Sequence, residues 1–494
     1  MLTILSYVLI FKTEKIMFLS RISLVLLAAC ATSPIVSAQG IRKAKHTDAS
    51  NNVRSKSANA SQSPAAAHTN SLFETIFGRM ISQDNRQLST SMHYNQLGDD
   101  IDGQVTDDGI DQVTAISKDG LRVAVACPAA ASGNGVTMIH DWDPVLGEWT
   151  PVGQFIVGSA GMGLGYSLDM NEDGTRVILG APEKNSDDGI VYVYELVGNV
   201  WQVVGAPITP DAPDGQAGVS VTMNGSGDRV AIGAPRTNFY SGRVSVYELD
   251  GNGQWALVGQ HLDSAEVMAY SGSSISMDAS GNRLVIGARL GGYYMGYVAI
   301  YDYNSSTSQW VQNGYINGGD YYDRFGNDVD ISEDGTRIVV GAFTSDSQGG
   351  QVHDGGEFSV FKYDGAGSWS PLGQKVVGEA SMDELGDSVS ISGDGSRVAI
   401  SAPGSDGVFE NAGKVIVYTY SAATDEWFKE ASDIHGECAG DNFGEGGGGV
   451  ALDRTGSHLI VGSQRSTYYT GMTRVFELLA GAGDGTNGST NVCD

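Results

Sequence analysis

The sequence predicts an all-β fold: a seven-bladed β-propeller of four-stranded blades, closed by an N-terminal strand. Three observations carry this. Glycine is abundant and proline scarce, 68 against 12 in 494 residues, with Val, Ile, Ser, Tyr and Asp recurring between the turns. One short phrase recurs seven times at a near-constant period, and each period holds four short strand signals with no helical pattern between them.

The phrase is clearest as Asp173-Gly-Thr-Arg-Val-Ile-Leu-Gly-Ala-Pro182. It returns at Gly227 to Pro235, Asp334 to Ala342 and Asp394 to Pro403, with weaker copies at Asp119 to Pro128, Gly281 to Ala288 and Gly456 to Gly462. Its basic position runs Arg122, Arg176, Arg229, Arg283, Arg337, Arg397 and His458, at spacings of 54, 53, 54, 54, 60 and 61. In the sixth period the strand signals are Ser388 to Ser392, Arg397 to Ile400, Lys414 to Tyr418 and a strand starting near Trp427. Four strands per unit is the content of a propeller blade, whereas a parallel β-helix uses fewer residues per turn.

Ring closure is legible at the ends of the chain. A fourth-strand tryptophan appears at Trp149, Trp201, Trp255, Trp310, Trp369 and Trp427, but none follows Arg474-Val-Phe-Glu-Leu478 of the seventh unit. Ahead of the first unit, His93-Tyr94-Asn-Gln-Leu-Gly98-Asp-Asp-Ile101 aligns with Glu148-Trp149-Thr-Pro-Val-Gly153-Gln-Phe-Ile156, with Tyr94 in the tryptophan place. The N-terminal segment is therefore expected to supply the outer strand of blade seven and remove its open edge.

The flanking segments divide as a leader (1–38), a disordered linker (39–70), an amphipathic helix with its connector (71–89), the propeller (90–480) and a flexible tail (481–494). From Met17, Arg21 precedes the apolar run Ile22 to Ala31, and Val36-Ser37-Ala38 offers the small residues of a cleavage site, so a secreted, extracellular protein is expected. Leu27-Ala-Ala-Cys30 also reads as a lipobox, and a bacterial lipid anchor at Cys30 is the alternative. Neither apolar stretch of the leader reaches the ~20 residues a spanning helix needs. The linker is rich in Ala, Ser, Asn and basic residues, and Ser71-Leu-Phe-Glu74 has the form of a capping box ahead of a helical apolar face.

The formal charge is −29. Residues 1–70 hold eight Lys/Arg and two Asp/Glu, which leaves −35 on the rest. Such a surface repels nucleic acid and anionic membranes, so neither is expected as a partner. After leader removal three cysteines remain, Cys127, Cys438 and Cys493, enough for one bridge and one buried thiol. Asn59, Asn224, Asn304 and Asn487 begin N-x-Ser/Thr sequons, which would make a glycoprotein in a eukaryotic secretory pathway.

The repeats resemble the FG-GAP repeats of the integrin α-subunit propeller and related secreted proteins. The matching positions are Phe325-Gly326 with Gly341-Ala342, Leu385-Gly386 with Ala402-Pro403, and Leu164-Gly165 with Gly180-Ala-Pro182. The resemblance covers about residues 90–480 and implies the propeller and a place in cell adhesion. It also implies a test for calcium, because calcium-binding members carry an Asp-x-Asp/Asn-x-Asp-Gly-x-x-Asp loop. The nearest copy here is Asp169-x-Asn171-x-Asp173, and a second is Asp330-x-Ser332-x-Asp334. Val177 and Ile338 replace the last ligand, and all seven repeats have Val, Leu or Ile there, so no cofactor is expected. The blade-two residues remain the best metal candidates, set against a hairpin turn in which Asp-Gly supplies a positive φ.

No phosphate loop, dinucleotide fingerprint or nucleophile elbow stands out, and the eight histidines include no pair at metal-ligand spacing. The tryptophans are expected to pack between blades, and the arginine starting each second strand to pair with the turn aspartate beside it. Gly-Ala-Pro keeps side chains small where blades crowd the axis. The expected function is that of a monomeric binding or adhesion propeller that recognises an extracellular glycan or protein. A secreted polysaccharide-cleaving enzyme and a structural wall or matrix protein are the alternatives.

The loops entering each blade and those joining its second and third strands emerge on one face, opposite the Asp-Gly hairpins. They vary in length and gather aromatic and acidic residues. The candidate ligand-binding residues are Tyr240, Tyr293, Tyr294, Asp320, Tyr321, Tyr322, Asp323, Arg324, Tyr468 and Tyr469. Tyr293, Tyr294 and the Asp320 to Arg324 loop are expected to form one patch, against the alternative that these tyrosines cap blade ends.

Overall fold

A computed structural model describes residues 92–102, 113–346, 352–407, 409–463 and 471–480. The expected leader, linker, helix and tail, together with Tyr468 and Tyr469, lie outside the described residues. Among the described residues no helix is long and apolar enough to cross a membrane.

Seven antiparallel sheets follow one another around an axis, each built of four strands that run outward from the centre. Blade four shows the plan: Ser274–Met277, Arg283–Ala288, Tyr297–Asn304 and Gln309–Asn317 pair in chain order. Several blades carry a further two-residue outer strand, such as Leu262–Asp263 in blade three. The second strand of each blade is buried on both faces beyond its first residue. That explains why the repeated phrase reads as an apolar run rather than an alternation. There is no single core. Instead each adjacent pair of blades shares its own cluster, as where Val285, Val298 and Ile300 of blade four meet Val329, Ile331, Ile338 and Val340 of blade five.

The ring closes by exchange. Met92–Gln96 pairs antiparallel with Met472–Ala480, with Tyr94 opposite Leu478, so the N-terminal segment is the outer strand of blade seven. Tyr94 packs against the cluster between blades six and seven.

Three sets of bonds tie blade to blade. At the periphery, the indole Nε1 of Trp149, Trp201, Trp255, Trp310 and Trp427 donates to a carbonyl of the preceding blade, on Leu97, Val152, Val204, Val258 and Leu372, at 2.7–3.0 Å. The tryptophans thus pack between blades as expected. The indole of Trp369 has no acceptor, and blade four's outer strand carries a bulge beside the Ile300 and Tyr301 pairs. At the axis, six backbone bonds link the first-strand turns in sequence, from Lys118 N to Glu172 O at 2.8 Å through to Gly393 N to Arg454 O at 2.8 Å.

The third set corrects the expected role of the arginines. They do not pair with the turn aspartate. Arg122, Arg176, Arg229 and Arg283 bind Asp141, Glu195, Glu248 and Asp302 on the adjacent third strand, and Arg397 binds Glu430. Each also donates Nη1 to the turn-glycine carbonyl of the next blade, as does Arg283 to Gly335 O at 2.8 Å. The turn aspartate is committed locally: Asp173 accepts from Thr175 N at 3.0 Å and Thr175 Oγ1 at 2.6 Å. A guanidinium directed along the strand matches a carboxylate in fork geometry, whereas the turn needs an acceptor for its own N–H groups.

Removing residues 1–104 should therefore lower the melting temperature by several degrees relative to removing residues 1–70, and should promote self-association, because it strips the outer strand from Met472–Ala480. Thermal melts and sedimentation of the two truncations check this; equal stability and equal mass would refute it.

Candidate functional site

The loops between second and third strands share an unusual backbone. In blades one to four each makes one turn of left-handed helix: Ala131-Ser132-Gly133, Asn185-Ser186-Asp187, Asn238-Phe239-Tyr240 and Gly292-Tyr293-Tyr294 all have φ between 52° and 77°. Such a conformation costs L-residues roughly 1–2 kcal/mol each. It persists because it is pinned twice. Within blade three, Tyr240 N donates to Arg236 O and Gly242 N to Thr237 O, both at 3.1 Å. From the next blade, Tyr270 N donates to Tyr240 O at 2.9 Å and Ser271 N to Ser241 O at 3.0 Å. The same two-bond latch joins Arg324 N to Tyr294 O and Phe325 N to Met295 O, both at 3.0 Å. The inbound loop of each blade and the second-to-third loop of its predecessor therefore share one face.

On this frame the side chains differ by sector. Tyr240 stacks on Tyr270 with centroids 5.3 Å apart, and Tyr294 stacks on Tyr322 at 5.4 Å, each pair bridging two blades. Around them Phe239, Tyr293 and Tyr321 stand 85%, 81% and 66% exposed, beside exposed Val267, Met268 and Met382. The blade-four and blade-five loops thus come together as one patch, and Tyr240 joins Tyr270 on its blade-three side. Asp323 does not present itself at this surface: it is buried, and its Oδ2 accepts the Asp320 N–H at 2.8 Å. The sequence reading missed Tyr270, whose isolated position in the Met268-Ala-Tyr270 stretch carries no doublet signal.

Inside the ring lies a channel of about 520 Å³. Its walls are the first strands, whose inner edges have no neighbouring strand, so side chains and backbone of the adjacent blades serve their N–H groups. Asp330 accepts from Ser276 Oγ and Ile331 N at 2.8 Å on one oxygen, and from Ile391 N at 2.9 Å and Ser390 Oγ at 3.2 Å on the other. Asp328 holds Ser274 Oγ at 2.9 Å and Val389 N at 2.8 Å. At the hairpin end Lys118 reaches across the axis to Glu172 and Glu333 and straps the channel.

The loop-face mouth is lined by Tyr166, Arg236, Tyr270, Arg289, Asn327, Phe343, Asp387 and Glu445. Arg289 Nη1 donates to Asn327 Oδ1 at 3.3 Å, Asn327 Nδ2 donates to Asp387 O at 3.1 Å, and Gly446 N donates to Asp387 Oδ2 at 2.7 Å, a chain of contacts crossing four blades. Arg324 lies over the Phe343 ring, 5.2 Å from its centroid. Sequence reasoning did not single out Arg236, Arg289, Asn327 or Asp387, because nothing local distinguishes them from ordinary loop residues.

The partial calcium loop is split by the fold. Asp169 faces the channel wall, where Met223 N donates to its carboxylate at 2.8 Å and Thr222 Oγ1 at 3.0 Å. Asn171 and Asp173 close the hairpin on each other at 2.8 Å. Among the described residues no three His, Cys, Asp or Glu side chains are grouped to hold a metal ion. Cys438 is disulfide-bonded and Cys127 is a buried thiol. Of the sequons, Asn224 is buried within its turn and Asn304 is exposed, while Asn59 and Asn487 lie outside the described residues.

No family model matches the chain, and no curated protein matches it in sequence. Among solved structures it is similar to a Bacteroides uniformis protein named as a 6-phosphogluconolactonase, at 11% identity and a TM-score of 0.49 over 72% of this chain and 89% of that one. The fold is a seven-bladed propeller. No activity follows from a likeness at that level.

Two expected outcomes follow from the site chemistry. Burial pushes Asp328 up to about 7 and Asp387 to about 6; burial, then Asp387 and Glu445, push Glu384 to about 7. The folded chain then binds more protons than the unfolded chain between about pH 4 and pH 7, so these groups withdraw stability as pH rises through that window. His140, His261 and His435, held below their usual value by burial, act oppositely as pH falls below about 6.5. Above the histidine window the melting temperature should fall between about pH 6 and pH 7 and level off toward pH 8, with a shallower fall in Glu384→Gln; a melt that rises from about pH 6 to pH 7 would contradict this. Separately, a calcium chelator should leave the melting temperature unchanged, and a drop reversed by added calcium would show an occupied site.

Proposed function

We propose that this propeller is an extracellular recognition module that binds a glycan or protein partner through the aromatic sector of its loop face. One observation supports the reading above others. Blades three and four carry Phe239-Tyr240 and Tyr293-Tyr294 at turn positions where blades one and two carry Ser132-Gly133 and Ser186-Asp187, and those rings are held exposed on a strained, latched backbone. Exposed aromatic clusters on rigid loops mark interaction surfaces, and stacked tyrosines offer broad amphipathic contact with little entropy left to lose. The apolar leader with its small-residue cleavage site supports secretion, and the FG-GAP-like phrase supports kinship with adhesion propellers. The channel carboxylates are engaged by interblade donors, which favours recognition over polysaccharide cleavage.

The tips Phe239, Tyr293 and Tyr321 pack little, so replacing all three by Ser should leave the melt nearly unchanged, within the ~0.5 kcal/mol typical of surface sites. Retention on a glycan and matrix-protein array should fall at least tenfold. A folded triple variant that retains wild-type binding would sink this reading, and one that fails to fold would favour blade-end capping.

A further inference from the structure

The arginines among the described residues fall into three groups. Arg122, Arg176, Arg229, Arg243, Arg283, Arg397 and Arg474 each hold a carboxylate. Arg337 and Arg454 hold none but donate to the carbonyls of Gly395 and Ile331. Three others differ: Arg236 and Arg289 line the loop-face mouth, and Arg324 lies over Phe343 beside it. Among the described residues, neither Arg236 nor Arg324 has a carboxylate within 4.0 Å or a guanidinium hydrogen bond to a protein acceptor, and Arg289 makes only the 3.3 Å bond to Asn327. Arg289 Nε is sealed from solvent with no acceptor.

Leaving a buried guanidinium donor unmatched is costly, and placing a second cation beside it adds repulsion. Both are present: Arg289 is drawn below its usual range by burial and then by Arg324. In a domain with so large an acidic excess, carboxylates to neutralise them are plentiful. Their carboxylate neighbours are Asp387, which attracts Arg289 but accepts from Gly446 N and approaches Asn327, and Glu384, which attracts Arg324; neither closes to an ion pair within 4.0 Å. The arrangement is that of an anion site with its anion supplied from outside.

We propose that the channel mouth binds the single carboxylate of an acidic sugar, held by Arg289 and Arg324, with Tyr270 and Phe343 as apolar walls and Glu445 available to its hydroxyl groups. The proposal rests on the recognition reading above and names its ligand class. Planar guanidinium forks match a carboxylate in two-point geometry. A hexuronic acid is smaller than the 520 Å³ channel. Arg324 lies two residues from Tyr322 of the stacked pair, so a saccharide anchored by its acid end runs directly onto the aromatic sector. A polyanion is disfavoured, because residues 71–494 carry a large net negative charge.

The test is a ligand-observed NMR titration of the full chain with glucuronate, glucose and polygalacturonate, repeated on Arg289→Gln, Arg324→Gln and Arg289→Lys. Glucuronate should bind at least tenfold more tightly than glucose and lose at least tenfold with either Gln variant, with partial retention in Arg289→Lys. Arg289→Gln should melt no lower than wild type, since it relieves the unmatched donor and the repulsion. Equal binding of glucose and glucuronate, no binding of either, tightest binding by the polyanion per residue, or unchanged affinity in both Gln variants would overturn the proposal. Array binding that needs the aromatic tips but not Arg289 would leave the recognition reading standing while this inference fell. Glucuronate binding that needs Arg289 in a tip variant with unchanged array retention would do the reverse.

Discussion

The blades are spaced by a contact in which two backbones meet with no side chain between them. A Cβ on Gly287 of blade four would lie 2.2 Å from the carbonyl oxygen of Gly326 in blade five, and the same closeness joins Gly180 to Gly218, Gly233 to Gly272 and Gly341 to Gly386. Each partner glycine also closes its own blade, as Gly326 N donates to Gly341 O at 3.0 Å. Near the axis the sheets therefore touch, while at the periphery they diverge and the wedge is filled by tryptophan. Small residues inside and large ones outside produce a ring rather than a stack. Where the contact is relaxed, only one side gains an atom: Ala126 meets Gly165, and Ser401 meets Gly444.

Bringing seven first strands to one axis creates a second obligation. Their inner edges face a channel too wide for strand pairing, and unmet N–H groups there would cost roughly 1–3 kcal/mol each. The chain answers with Asp169, Asp328 and Asp330, each reaching a neighbouring blade. These carboxylates stabilise the ring through hydrogen bonds and oppose it through desolvation, which is why burial dominates the upward displacement of Asp169 and Asp328. Perturbed acidity in this channel is thus explained by architecture and does not by itself mark catalysis.

A uniform frame leaves the loops free to differ. The latch between successive loops uses only backbone atoms, so it accepts Ser186 or Tyr293 at the turn alike. Left-handed turns displaying phenyl and phenol rings are costly, and the latch offsets that cost without specifying the ring. The same freedom lets arginines collect at one side of the mouth. Binding character is therefore a property of a sector, set by which blades are neighbours.

What the sequence by itself determined is whatever repeats. Glycine pairs, Asp-Gly hairpins and the tryptophan series recur at one period, and the match of Tyr94 to Trp149 exposed the strand exchange, because each position does the same physical job in every blade. The acids nineteen residues beyond the arginines, at Asp141, Glu195, Glu248 and Asp302, were equally periodic, yet adjacency in the chain favoured the turn aspartates instead. Only the tertiary structure decided the partners of residues that do not repeat. Tyr270 matters because Tyr240 reaches it from the blade before, Asp323 is lost to the surface because its own loop needs an acceptor, and Arg289 closes no ion pair because Asp387, which attracts it, accepts instead from Gly446. Periodicity reports the forces common to all blades, whereas a site is made by their differences, which acquire meaning only when the ring sets distant loops side by side.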